Sequence, residues 1–140
     1  MPGRVFEDDP NIPADERLLR RIPRTWIDWD EHGNAVISSA AFKVISSAAF
    51  KDEELSISLE SVMTRDGRPP EDAIRNYPGY GLASITAAHA RSLKQAVAPD
   101  PLPEEPAHGV VYGQKKRGGI GGKLRDGALW VVRPVELELS

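Results

Sequence analysis

The chain has 140 residues, close to one domain's worth, and its 40% apolar and 28% charged content fits a globular protein rather than a disordered one. The absence of cysteine excludes a disulfide framework, a thiolate metal site and a cysteine nucleophile, and a formal charge of −3 argues against wholesale polyanion binding. No apolar run approaches membrane-spanning length, and the acids and prolines of MPGRVFEDDPNIPADER stand where a secretory leader needs a basic start and an apolar run, so a cytoplasmic chain with no membrane partner is expected.

Residues 1–16 mix Pro2, Pro10 and Pro13 with Asp8, Asp9, Asp15 and Glu16, which predicts a flexible N-terminal arm ahead of a single domain over 17–140. Arg17, Arg20, Arg21 and Arg24 form a basic cluster that reads more readily as a solvated helical face than as a binding site. Thr25 to Trp29 has strand composition, Asp30 to Asn34 has turn chemistry, and Ala35 opens a second strand, which together predict a β-hairpin. That turn also sets oxygens at alternate positions before Gly33, as a calcium loop does. Ser39 stands where the bidentate glutamate belongs, so no metal site is assigned.

The octapeptide VISSAAFK then occurs twice in tandem, over 36–51. Eight extra residues lengthen a helix by about 12 Å or a strand by about 26 Å, so the two copies are not expected at equivalent places in one element. One copy fills the core position and the other is spliced in. An in-frame duplication or an artefact of design is the preferred origin, and an adaptive extension that makes a new interface is the other.

Leu55, Ile57 and Leu59 alternate with polar partners in a half-buried strand. Pro70 can start a short helix through Arg75, stopped by Pro78-Gly79. From Leu82, the positions Leu82, Ile85, His89, Leu93, Ala96 and Val97 follow helical spacing and predict the one long helix. The prolines of Asp100 to Pro106 predict an extended, partly polyproline connection. His108 to Tyr112, Leu129 to Val132 and Val135 to Leu139 read as strands. The expected fold class is α+β, a small mixed or antiparallel sheet packed against one long helix.

Two stretches carry candidate chemistry. Gln114 to Asp126 is a glycine-rich loop with five cations, Lys115, Lys116, Arg117, Lys123 and Arg125, the composition of a phosphate cradle. It departs from the P-loop because Arg117 replaces the first glycine and Leu124 replaces the magnesium-holding hydroxyl. It departs from the dinucleotide fingerprint because Leu124 also stands at the third glycine. Phosphate or nucleic-acid contact and a solvated surface loop both remain open, with Tyr112 and Trp130 as flanking aromatics that could stack on bases. His108 follows the proline-rich run at a strand entrance, with Glu104 and Glu105 beside it. It is a weak catalytic candidate for proton transfer, or else it hydrogen-bonds the proline loop and fixes it.

Ser38 to Phe42 (or its copy) leading to Leu55-Ser56-Ile57, then Pro78-Gly79-Tyr80-Gly81-Leu82, then Asp100-Pro101-Leu102-Pro103-Glu104-Glu105-Pro106-Ala107-His108-Gly109 resemble a recurring pattern in small uncharacterised bacterial proteins, over much of residues 22–132. The resemblance implies a bacterial cytosolic setting and brings no activity with it. Gly118 to Gly122 depart from the pattern, which would hold better helix formers there, and the repeat departs as well. No complete metal, nucleotide or triad constellation can be assembled. The leading expectation is therefore a non-catalytic interaction or regulatory module without a cofactor, working through another protein or self-association. The alternatives are nucleic-acid or phosphate binding through residues 114–125, and an enzyme using His108 with Glu104 or Glu105.

Overall fold

The computed structural model describes residues 5–42, 54–115 and 118–134. The second repeat copy, Lys116, Arg117 and the strand expected over 135–139 lie outside the described residues. Among the described residues the main sheet has six strands, in spatial order β6-β7-β4-β1-β5-β8, with every neighbour antiparallel. They are β1 (Arg17–Ile22), β4 (Glu54–Leu59), β5 (Gly81–Thr86), β6 (Ala96–Pro99), β7 (His108–Tyr112) and β8 (Leu129–Val132). A separate two-stranded ribbon joins β2 (Ile27–Trp29) to β3 (Ala35–Ile37). The helices are short: α1 (Glu60–Arg65), α2 (Ala87–Ser92) and α3 (Ile120–Asp126). None of the described helices is long and apolar enough to cross a membrane.

This corrects the expected sheet packed against one long helix. Residues 82–97, expected to be that helix, divide into β5, the two turns of α2, and β6. Leu82 and Ile85, which helical spacing would put on one face, belong to clusters on opposite faces of the sheet. Gly81 to Ile85 are all buried, and a strand buried on both sides loses the period-two signature that separates it from a helix. The chain switches to helix at Thr86, whose hydroxyl accepts from the His89 backbone N–H at 3.1 Å. It leaves again at Lys94, which takes a left-handed φ of 63°.

The register assigns the two faces. Leu18 lies opposite both Leu59 and Ile85, and this face packs on the β2–β3 ribbon, α2, α3 and the fully buried Ala41 and Phe42 of the first repeat copy. Leu19 lies opposite Ser58 and Ser84, and its face packs on Met63 of α1 and on Ala73 of the 3-10 turn Pro70–Ile74. The expected hairpin forms: the Asp30 carboxylate accepts from the backbone N–H groups of His32 and Asn34, both at 2.8 Å, and Gly33 supplies the positive φ of 78°.

The stretch expected as a loose arm makes specific bonds over its described part. Arg91 donates to the Asp8 carboxylate and to the backbone oxygens of Asp9 and Ile12, each at 2.9 Å. Asp9 N–H donates to Val97 O, and Val97 N–H donates to the Asp8 carboxylate, so the outer edge of β6 is covered by the chain itself. Ile12 is buried in the core, and Glu16 accepts from the Ser61 backbone and hydroxyl.

Candidate functional site

β1 pairs with β5 along its whole length but with β4 at only two positions, Leu18 to Leu59 and Leu19 to Ser58. Past Leu19 the two strands are no longer paired, and a side chain takes over: Arg20 Nη1 donates to Ser56 O at 2.9 Å and Nε donates to Ala41 O at 3.0 Å. At this break lies a cleft of about 190 Å³, lined by Leu19, Arg20 and Arg21 of β1, Ser56 and Ser58 of β4, and His108 of β7 among others. Tyr77, Leu102, Glu104 and Glu105 also line it.

The register explains this gathering. Leu19 sits opposite Ser58, and Ser58 sits opposite His108, so the three side chains form one row across three strands on a single face. Leu102, Glu104 and Glu105 come from the connection between β6 and β7. Expected to be extended, it is folded: Leu102 and Glu105 exchange both backbone hydrogen bonds at 3.0 Å. Pro103 takes the first central position of that tight turn, which its fixed φ favours, and Glu104 takes the second. His108 locks the loop, its Nδ1 lying 2.8 Å from Asp100 O and 3.4 Å from the Asp100 carboxylate. The loop-fixing bond expected as the alternative to catalysis is thus present.

The neighbouring carboxylates have different surroundings. Glu105 is 9% exposed and receives a two-pronged bond from Arg68 at 2.6 and 2.8 Å, plus the Ala107 N–H at 3.1 Å. The Arg68 hydrogen bonds hold its carboxyl below the usual range against the opposing effect of burial, and the charge of Arg21 contributes in the same direction. Glu104 is exposed and makes no ion pair or hydrogen bond with the described residues.

The two arginines of the cleft differ from six others of the described residues. Arg17, Arg65, Arg68, Arg75, Arg91 and Arg125 each hold a carboxylate. Arg20 and Arg21 hold none among the described residues. Arg21 donates to Ala73 O at 2.6 Å and to the Tyr77 hydroxyl at 3.2 Å, with its guanidinium 4.2 Å from the Tyr77 ring centroid. Arg20 lies 5.5 Å from the Trp26 ring centroid. Burial, with the adjacent Arg21 charge as the second cause, pulls the Arg20 guanidinium down to about 10. A desolvated cation without a counterion costs free energy that an anion would recover.

Of the residues singled out in the sequence, the cleft brings together His108, Glu104 and Glu105, with Glu105 committed to Arg68, and also Arg20 and Arg21 of the basic cluster. The glycine-rich segment is not an open loop over its described part. Gly119, at φ 66°, leads into α3. Lys115 is 4% exposed and donates to Val111 O at 3.0 Å and Gly113 O at 2.9 Å. Arg125 donates to Asp126 at 3.0 Å and to Ile37 O at 3.3 Å, and Lys123 is exposed on α3. Tyr77, Ser56, Ser58 and Asp100 were not legible as site residues, and Arg20 and Arg21, expected on a solvated helical face, lie instead on the strand β1. The available signal was the pair of consecutive cations inside the apolar run Leu18 to Ile22, which in a strand must point to opposite faces. No protein-family model, curated protein or solved structure matches the chain.

Proposed function

We propose that the chain is a non-catalytic binding module of the bacterial cytosol, and that its ligand presents a small anionic group to the cleft between β1 and β4. The observation that carries this reading is Arg21, which shares the cleft face with Leu19, Ser58 and His108 and has no carboxylate partner among the described residues, while Arg17, Arg68 and Arg91 have one. The Arg21 guanidinium has five N–H donors, and the described acceptors take two of them. The remaining donors suit a carboxylate or phosphate oxygen, which guanidinium geometry recognises well.

The test is a thermal-shift and NMR titration with acetate, phosphate and sulfate against chloride at matched ionic strength. Acetate or phosphate is expected to raise the melting temperature and to move the amide signals of Ser56, Ser58 and His108, with both effects lost in Arg21→Gln and retained in Lys123→Gln. Equal responses in Arg21→Gln and the unmodified chain, or no response to any of the anions, would overturn the reading.

A further inference from the structure

We infer that the anionic group is the carboxylate of a small α-amino acid, whose ammonium end is received by Glu104 and His108; this rests on the anion-binding reading of the cleft. The first support is the imidazole. Its Nδ1 faces two acceptors, the Asp100 carbonyl at 2.8 Å and the Asp100 carboxylate at 3.4 Å, which favours the tautomer with the proton on Nδ1 and the lone pair on Nε2. Nε2 has no partner among the described residues. It is an unpaired acceptor on a residue that lines the cleft.

The second support is charge placement. Arg21 and Glu104 line the same cleft yet make no ion pair with each other. An unpaired cation and an unpaired carboxylate that share a small cavity without meeting leave a gap that a molecule with one negative and one positive end can bridge. A plain anion would satisfy Arg21 and leave Glu104 repelling it. A plain amine would have the converse fault.

The third support is size. Pockets for drug-sized ligands run to roughly 300–1,000 Å³, and this cleft is about 190 Å³. A nucleotide is too large for it, whereas a backbone carboxylate and ammonium with a short side chain fit. Leu19, Leu102 and the Tyr77 ring supply an apolar wall for such a side chain.

Isothermal titration of the full chain at pH 8 tests the assignment, using glycine, L-alanine, L-serine and L-valine, then the des-amino acid and the decarboxylated amine of the best binder. The amino acid is expected to bind about tenfold more tightly than its des-amino acid, and the amine to bind more weakly than either. In Glu104→Gln the amino acid should fall to the level of the des-amino acid, whose own affinity stays the same or rises. If the des-amino acid binds the unmodified chain as well as the amino acid does, or if Glu104→Gln leaves the ratio unchanged, the zwitterion assignment fails while the anion site stands. If none of these carboxylates binds and acetate and phosphate are also inert, the anion site itself fails.

Discussion

Lys115 and Arg125 in the glycine-rich segment, and Arg20 and Arg21 in β1, are cations that a sequence shows with equal prominence, and the fold treats them differently. Lys115 turns inward and ties two carbonyls at the end of β7, while Arg125 pairs with Asp126 and reaches Ile37 O. Both are absorbed by the chain's own acceptors. Arg20 and Arg21 also touch carbonyls, yet they keep unused donors, have no carboxylate partner among the described residues and line a cavity. The density of positive charge along a sequence therefore says little about ligand binding. What matters is whether the folded chain supplies the counterion, because an uncompensated, desolvated charge is costly and an anion relieves that cost.

The sharpest way to break this comparison is Lys115→Ala. It removes a buried donor from Val111 O and Gly113 O, and a loss of about 2–3 kcal/mol is expected. Urea unfolding would measure it, and acetate binding in the same variant should be unchanged. A stable Lys115→Ala protein with impaired anion binding would reverse the roles assigned to the two segments.

Glu105→Gln comes next, since it weakens the partly buried pair with Arg68 and should cost about 1–2 kcal/mol at pH 7. The pH dependence has a definite sign. The folded carboxyl titrates below its ordinary value of 4.5, so between the two values the unfolded chain binds more protons than the folded one. The stabilisation is complete above pH 4.5 and is lost as pH falls through the folded value. The gap in urea midpoint between the unmodified chain and Glu105→Gln should therefore narrow steadily below pH 4.5. A constant gap down to pH 2 would show that the charge is not its source.

These effects also show which features a sequence can express. The β2–β3 turn was legible because its causes are local: Asp30 bonds its own neighbours, and Gly33 supplies the positive φ. β4 was legible because Leu55, Ile57 and Leu59 face one core while Ser56 stays exposed. β5 was hidden because burial on both sides erases the alternation, and Ala87 to Ser92 then add one genuine but short helix to the same run. Pro103 reads equally well as an extended residue or as the corner of a turn, and only the Leu102 and Glu105 pairing decides between them. Of the cleft, only the local group Glu104, Glu105 and His108 could be found beforehand. Arg21, Ser58 and Tyr77 join it through strand register and packing, relations between residues far apart in the chain.

The smallest expected effect tests the other half of the comparison, the absorbed cation Arg125. Because Asp28 lies opposite Val36 and Asp30 N–H bonds Asn34 O, the pairing parity of the ribbon points the Ala35 and Ile37 carbonyls away from β2. Two side chains cap them: Trp130 Nε1 donates to Ala35 O at 3.1 Å and Arg125 Nη1 to Ile37 O at 3.3 Å. The Arg125 bond is long, and its ion pair with Asp126 is largely solvated, so Arg125→Ala should cost only about 0.5–1 kcal/mol. Trp130→Phe should cost about as much through the lost N–H, with additional loss because the indole packs against Gly81, where a Cβ would come within 2.6 Å of the ring. Hydrogen exchange at the amides of the ribbon is the sensitive readout, since capping holds this edge without setting the stability of the main sheet. Faster exchange confined to residues 27–37 is the expected outcome in Arg125→Ala. Unchanged exchange there, together with weakened acetate binding, would move Arg125 from the structural group of cations to the binding one.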